Sequence, residues 1–229
     1  MLDNTPVLGR SESTELATNR VLRNTYALLG LTMIPTVIGA FIGMSINFSI
    51  AQQHPFMFAI GAMAVMYGLF AAIAANRNSS VGVVILLGLT FLLGMLLGPI
   101  LQHALHLSNG AQIVGLAAGG TGIILMTLAG IATTTKKDFS FMGKFLMVGI
   151  VLMIVASLAN IFLQIPAMAL AMSAIGVILF SGFILYDVSR IVNGGETNYV
   201  MATLGLYLSI YNLFTSLLQL LMGLMGSND

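Results

Sequence analysis

Seven apolar stretches, each about the length of one membrane crossing, are the feature that most constrains the fold. A helix crosses the hydrocarbon core of a bilayer with about 20 consecutive apolar residues. Gln164-Ile165-Pro166 is the weakest separator. We place a break there because proline disfavours a continuous helix and 142–188 is too long for one crossing. The predicted spans are 26–46, 56–75, 81–101, 111–132, 142–163, 167–188 and 200–225.

The composition agrees with a chain that lies mostly in lipid. Hydrophobic residues make up 58% and charged residues 7%, whereas a soluble domain has about a quarter of its residues charged. The apolar runs do not alternate with polar residues as the strands of a membrane barrel do. We therefore predict an all-α, polytopic membrane protein of seven transmembrane helices, with residues 25–229 as the membrane domain.

Basic residues fall on one side of this predicted topology. With seven spans, the N-terminal tail shares a face with the second, fourth and sixth loops. A bias of lysine and arginine marks the cytoplasmic side of a membrane protein. We predict a bacterial inner-membrane protein whose N-terminus is cytoplasmic and whose C-terminus is outside. All eight basic residues lie on the cytoplasmic face: Arg10, Arg20, Arg23, Arg77, Lys136, Lys137, Lys144 and Arg190.

The first 24 residues form a polar tail before the first span. Residues 1–24 are rich in serine, threonine, asparagine and charges of both signs, so we expect a disordered or loosely helical segment at the membrane surface. Two interpretations stay open: a passive tail, or a handle for a cytoplasmic partner.

The sequence lacks the groups that common chemistries need. It has no cysteine, which excludes disulfides, thiolate catalysis and iron–sulfur clusters, and a net charge of +1 gives no basic field for nucleic acid. No zinc-protease motif and no second aspartate of an aspartyl protease lies in the spans. His103 and His106 are three residues apart without a third ligand type nearby. We expect no enzyme, no catalytic residue, no metal site and no cofactor.

Asp187 is the one clear anomaly in the predicted spans. It lies about five residues, or roughly 7 Å, inside the cytoplasmic end of the sixth span. A carboxylate in this position normally faces the bundle interior or a water-filled cavity. The other possibility is a local ion pair with Arg190, three residues further along the same helix face. Asp187 and Arg190 are therefore candidates for ion binding or pH sensing.

The seventh span carries a polar stripe. Its members recur at intervals of three, four and three residues, which places them on one side of a helix. In lipid such a stripe must face protein or water, so we expect the last helix to be central. Hydrogen-bonding contacts inside a bundle and a conduction path both explain the stripe. Its members are Ser209, Asn212, Ser216 and Gln219.

Three small-residue motifs of the type found in helix dimers also occur in the spans. They are Gly39/Gly43, Gly94/Gly98 and Gly115/Gly119. Among 25 glycines, about three such pairs arise by chance, so they indicate close helix packing and nothing more.

Several stretches resemble the Bax inhibitor-1 family. FILYDVSRIVNGGETNY over 183–199 and LYLSIYNLF over 206–214 resemble its signature region. The loop GGETNY is similar to that of the bacterial YccA-like branch, the modulators of the FtsH protease. VLRNTY over 21–26, LGPIL over 97–101 and NIFLQ over 160–164 also match.

The resemblance implies seven helices with the last one surrounded by the other six, and it implies two functions. Some family members are pH-sensitive calcium leak channels gated by two aspartates on the last two helices. Asp187 matches the first aspartate, whereas Ser209 stands where the second is expected and so joins Asp187 and Arg190 as a candidate for ion binding or pH sensing. The second span has no basic residue to latch the gate. Calcium is therefore expected as a ligand only under the channel alternative.

The YccA-like branch instead binds and restrains a membrane-anchored AAA protease. This is our leading expectation, with the protease, its membrane-bound associates and the lipid bilayer as partners. Glu196, Asn198 and Tyr199, in the loop before the last span, are candidate partner contacts. Because Asn193-Gly194-Gly195 is a strong turn signal, this loop has a structural explanation as well, in which Glu196 lies near the positive end of the next helix.

Overall fold

The computed structural model describes residues 7–46 and 53–226, and the bounded elements within those ranges are all helices. We number them in chain order. They are α1 (Val7–Ser45), α2 (Pro55–Ala75), α3 (Ser80–Leu96), α4 (Gly98–Leu105), α5 (Gly110–Thr135), α6 (Met142–Leu163), α7 (Pro166–Val192) and α8 (Tyr199–Met225).

Seven of the described helical segments are long and apolar enough to cross a membrane, which confirms the predicted fold class. The third span combines α3 and α4, because the helix is interrupted at Leu97 and resumes with Pro99 in its first turn. The spans are Leu16–Ser45, Phe56–Ala75, Ser80–Leu105, Gly110–Thr135, Met142–Leu163, Pro166–Val192 and Tyr199–Met225.

Local backbone chemistry explains where these helices end. Gln164 adopts a left-handed conformation with φ 50°, and Pro166 then begins α7, so the weakest predicted break is confirmed. Lys136 ends α5 in the same way with φ 49°. Gly194 has φ 75°, as the turn signal after α7 predicted, since glycine takes a positive φ without steric cost.

The segment before the first span differs from our expectation. Residues 7–24 are helical and continuous with the first span, since α1 runs without interruption from Val7 to Ser45. The expected disordered or loosely helical surface segment is therefore a regular helix over these residues. Residues 1–6 of the predicted tail lie outside the described residues.

Two sets of loops occupy opposite ends of the bundle. Asn198 Nδ2 donates to the Arg77 carbonyl oxygen at 3.0 Å, and Asn193 Nδ2 donates to the Lys137 carbonyl oxygen at 3.2 Å. These bonds bring together the loops 76–79, 136–141 and 193–198, and we call this end the basic face. At the other end, Asn109 Nδ2 donates to the Met225 carbonyl oxygen at 2.6 Å.

The last helix is central, as predicted. α8 packs against α7, α5 and α1, and over shorter lengths against α3 and α2. Its side chains dominate the core, in which Leu206, Tyr207, Leu213 and Leu218 are almost completely buried. The implied enclosure by all six other helices is not even, because α6 packs chiefly on α7 and buries only Leu146.

Glycine allows α1 and α3 to approach closely. A Cβ atom added to Gly39 would collide with the Phe91 carbonyl oxygen, and one added to Gly94 with that of Thr36. Gly43 and Gly98 face each other in the same contact. Two of the three predicted small-residue motifs therefore pack against one another, whereas the third, Gly115/Gly119, has no neighbouring atoms within 4 Å of its added Cβ positions.

Candidate functional site

Asp187 and Ser209 meet at the interface between α7 and α8. Ser209 Oγ donates a hydrogen bond of 2.8 Å to Asp187 Oδ2, and it also lies 3.1 Å from the Gly205 carbonyl oxygen. Ser209 is buried and Asp187 is partly buried. Gly205 borders the same carboxylate, since a Cβ added there would lie 3.6 Å from Asp187 Oδ1. The carboxylate thus faces the bundle interior, which is one of the two arrangements considered from the sequence.

Arg190 forms its ion pair with Glu196. The guanidinium Nη2 lies 3.6 Å from Glu196 Oε2 and donates to the Gly195 carbonyl oxygen at 3.2 Å. Its Cζ atom also lies 5.6 Å from the ring centre of Tyr186, a cation–π distance. The local ion pair with Asp187, considered from the sequence, is therefore replaced by a pair with the following loop. The turn at Gly194 makes this possible, because it folds Glu196 back toward the end of α7.

The polar stripe of α8 faces α7 at three levels. Ser209 contacts Asp187 near the basic face. Further along α8, Ser216 packs against Gly176 of α7. A Cβ atom added to Gly176 would meet the Ser216 Oγ atom, so the absence of a side chain on Gly176 makes room for this serine. Near the opposite end, Gln219 Oε1 accepts a hydrogen bond of 3.3 Å from Ser173.

Asn212 is the exception within the stripe. Its Nδ2 atom donates to the Leu208 carbonyl oxygen at 2.8 Å, which is a bond inside α8 itself. Three of the four stripe residues therefore act in the α7–α8 interface.

A cavity of about 380 Å³ opens at the end of this interface opposite the basic face. Ser173 and Gln219 lie in its wall, together with His103 from α4. The interface thus has a carboxylate at one end and a partly polar cavity at the other.

The loop between α7 and α8 is held by its own side chains. Asn198 caps α8, because its Oδ1 accepts from the amides of Val200 and Met201 at 3.0 and 3.1 Å. Its Nδ2 donates to Asn78 Oδ1 at 2.8 Å and so also ties the loop to the 76–79 loop. Glu196 Oε1 accepts from the Asn198 amide at 3.0 Å. Glu196 and Asn198 therefore both stabilise the loop and the start of α8, which supports a structural role for them.

Tyr199, the third candidate contact in this loop, is partly buried against the main core. A role for all three in partner binding remains a prediction.

Most of the chain matches a known protein family. The family model described as "Inhibitor of apoptosis-promoting Bax1" covers residues 18–227. The chain belongs to this family, the Bax inhibitor-1 family. The stretches that suggested it lie in this range and include both helices that carry Asp187 and Ser209.

Relatives in several bacteria are similar over nearly their whole length. A protein of Escherichia coli K12 named "Modulator of FtsH protease YccA" is 41% identical over 206 residues, which are 90% of this chain and 91% of the relative. An uncharacterised membrane protein of Vibrio cholerae is 43% identical over 99% of this chain and 100% of its own length. An uncharacterised protein of Neisseria meningitidis is 42% identical over 92% and 93%.

Two tyrosines of this Bax inhibitor-1 family member were missed by sequence reasoning. Tyr207 OH lies 2.8 Å from Thr36 Oγ1, and Tyr211 OH donates to the Leu93 carbonyl oxygen at 3.2 Å, so each joins α8 to another helix. Their rings stack with centroids 6.3 Å apart. Both stand in the LYLSIYNLF stretch at a spacing of four residues, a signal that would have placed them on one face of the last helix.

No cluster of three metal-ligand side chains occurs in the described part of the chain. His106 Nδ1 lies 2.6 Å from the Gln102 carbonyl oxygen, and His103 borders the 380 Å³ cavity.

On the basic face, the side-chain and backbone hydrogen bonds of Ser140 hold the pKa of Asp138 below its usual range. Asp138 is thus a fixed negative charge beside the lysines of its loop.

Proposed function

We propose that this protein binds a membrane-anchored AAA protease of the FtsH type and restrains it, without itself being an enzyme. The observation that carries the proposal is the relative named as a modulator of FtsH protease, at 41% identity over nine-tenths of both chains. Since the similarity covers nine-tenths of this chain, the relative's named role is the best guide to its function.

The α7–α8 interface supports a modulator better than a channel. The resemblance assigns channel gating to two facing aspartates, whereas here the single carboxylate of Asp187 faces the hydroxyl of Ser209. A serine cannot share a proton with Asp187 as a second carboxyl group would. The gating chemistry of the channel-like members is therefore incomplete in this chain.

Loop 193–198 of the basic face is the surface that we assign to the protease and its membrane-bound associates. α1 has 39 residues and is thus roughly 58 Å long, about twice the 30 Å core of a bilayer. The helix therefore extends beyond the membrane on the side of loop 193–198, which carries Glu196, Asn198 and Tyr199. We place the protein in the bacterial inner membrane with this face in the cytoplasm, in agreement with the positive charges and with an E. coli relative named as an inner membrane protein.

Co-purification and reconstitution test the proposal together. The tagged full-length chain is isolated from gently solubilised membranes, and the proteins that accompany it are identified. In parallel, an FtsH-type protease is reconstituted in liposomes with and without the chain, and the degradation rate of a membrane substrate is measured. We expect the protease to co-purify and the rate to fall as the chain is added. Recovery of lipid without protease, or an unchanged rate, would contradict the proposal.

A pH-sensitive calcium or cation leak is the second candidate function. The observation that favours it is the series of polar contacts along α7 and α8, which runs from Asp187 to the cavity beside Gln219. Polar side chains in a membrane interior are often part of an ion path. Calcium would be a ligand only under this second function.

A further inference from the structure

A second cavity, of about 440 Å³, lies between α1, α4, α5 and α8. It is on the other side of α8 from the Asp187 interface, and Tyr207 and Tyr211 form its floor. Phe41 and Val37 stand at its rim with 64% and 53% of their surfaces exposed. The interruption between α3 and α4 contributes to the cavity, because Leu97 and Leu101 on either side of it line one wall.

Every residue that lines this cavity belongs to one of the membrane spans. Its opening therefore faces the hydrocarbon core of the bilayer and not the aqueous phase. The residues at the rim are apolar, and the basic residues of the chain lie at the basic face, away from this part of the bundle. A charged or strongly polar molecule would find no complementary group here.

The hydroxyl groups in the wall already have partners within the protein. Thr36 Oγ1 donates to the Thr32 carbonyl oxygen at 2.7 Å and lies 2.8 Å from Tyr207 OH. Tyr211 and Thr121 likewise donate to main-chain carbonyl oxygens. Since the hydroxyl protons are already donated within the protein, the cavity offers a ligand a mainly apolar surface, and an apolar cavity of this kind does not favour water.

The size of the cavity selects among apolar occupants. One turn of a helix with its side chains is 10–12 Å wide and 5.4 Å long, which is on the order of 400–600 Å³. The cavity thus has room for about one turn and not for the transmembrane helix of a partner. Its volume lies in the range of small-molecule sites, roughly 300–1,000 Å³.

We propose that the cavity is a binding site for the acyl chain of a membrane phospholipid. The chain enters between α1 and α5 and packs against the two tyrosine rings, where it gains the dispersion contacts that an unfilled cavity would lack. The headgroup stays outside the cavity. The site recognises hydrocarbon, so it is independent of the Asp187 interface and of the proposed protease partner.

The absence of tryptophan from the chain makes a direct test possible, because one introduced indole is the only one present. Phe41→Trp places it at the cavity rim. Phe145→Trp, on the lipid-facing side of α6 and 78% exposed in the parent chain, is the matched control. Each purified protein is titrated in detergent with phosphatidylcholine brominated on its acyl chains, and quenching of the indole fluorescence is measured. We expect saturable quenching at about one lipid per protein for Phe41→Trp only.

Filling the cavity tests the same site without moving the reporter. Ala118 lines the cavity from α5, whereas Ala111 is exposed on the same helix and does not line it. In the Phe41→Trp background, Ala118→Phe or the smaller Ala118→Leu should abolish saturable quenching, and Ala111→Phe should preserve it. Circular dichroism and gel filtration check that each variant is folded.

Three results would overturn the proposal. The first is quenching that does not saturate, or that is equal for the Phe41→Trp and Phe145→Trp proteins. The second is an emission insensitive to brominated lipid, which would result from a protein segment occupying the cavity. The third is strong dependence on the headgroup when brominated phosphatidylglycerol replaces phosphatidylcholine, since recognition would then lie outside the hydrocarbon chain.

Discussion

The hydroxyl of Ser209 donates a hydrogen bond of 2.8 Å to the carboxylate of Asp187 and so joins the last two helices near the basic face. Asp187 is the one carboxylate in the seven described spans. Because Arg190 pairs with Glu196 in the following loop, the serine is the side chain that holds the Asp187 carboxylate in the interface. We therefore expect position 209 to influence both the stability of the bundle and its response to protons.

Removing this hydroxyl should destabilise the bundle. Ser209→Ala leaves the carboxylate without its donor, and we expect a loss of about 1–2 kcal/mol in the free energy of unfolding. The matched control is Ser181→Ala on α7, where the lost hydroxyl bonds only to the Val177 carbonyl oxygen of its own helix. Thermal unfolding in detergent measures both variants. Equal and small shifts of Tm would show that the Asp187–Ser209 bond contributes little.

Replacing the hydroxyl with a carboxyl group should change function. In Ser209→Asp two carboxyl groups face each other, and in a low dielectric they cannot both ionise, so they share a proton. In liposomes we expect weak calcium flux for the natural chain, with little change between about pH 6 and 8, and a proton-sensitive flux for Ser209→Asp. Asp187→Asn added to that variant should abolish the flux.

The same assay can reverse our ranking of the two functions. If the natural chain already conducts calcium strongly, and Asp187→Asn alone stops the flux, then one carboxylate is sufficient. The leak channel would then be the better account of this chain.

Much of the fold follows from the sequence, because the bilayer imposes simple requirements. Apolar length determines the spans, and residues with strong backbone preferences end them, as Pro166 and Gly194 do. The face of the last helix that bears Ser209 and Ser216 was predictable too, since polar groups must avoid lipid.

Helix neighbours were not predictable in the same way. Lipid tails are as apolar as a helix surface, so hydropathy does not distinguish a side chain that faces lipid from one that faces protein. Nothing in the sequence therefore indicated that α6 packs chiefly on α7 and away from the last helix. The partner of Arg190 was missed for another reason: Glu196 reaches it only through the turn at Gly194, and this contact depends on the three-dimensional path of the loop.

The capping residue Asn198 has two separable roles. Its Oδ1 accepts from the first amides of α8, and its Nδ2 donates to the 76–79 loop. Asn198→Asp keeps the acceptor and loses the donor, whereas Asn198→Ala loses both. We expect Asn198→Ala to cost about 1 kcal/mol more than Asn198→Asp in thermal unfolding, which is the typical value of a cap. Equal costs would mean that the cap itself contributes little to the stability of the protein.

Glu196 tests the assignment of the protease surface. Glu196→Gln keeps an oxygen acceptor for the Asn198 amide and removes the charge that pairs with Arg190. Because such a partly exposed pair contributes about 0–1 kcal/mol, we expect Tm to change little while co-purification of the protease weakens. Asp138→Asn, in another loop of the basic face, is the control and should retain the protease. Lowered stability with normal protease binding would assign Glu196 a purely structural role.

Two glycine motifs with the same spacing should respond differently to alanine. Gly94 faces α1, where an added Cβ would collide with the Thr36 carbonyl oxygen, so Gly94→Ala must push the two helices apart. Overpacking of this kind costs about 1–3 kcal/mol. Gly119 has nothing within 4 Å of its added Cβ, so Gly119→Ala should change the free energy of unfolding by less than about 0.5 kcal/mol. Thermal unfolding of the two variants in the same detergent measures the difference. A Gly119→Ala protein that is as unstable as the Gly94→Ala protein would show that the face of α5 that bears Gly119 is also a packing surface. Another copy of the chain would then be the first candidate partner for this face, and cross-linking would examine it.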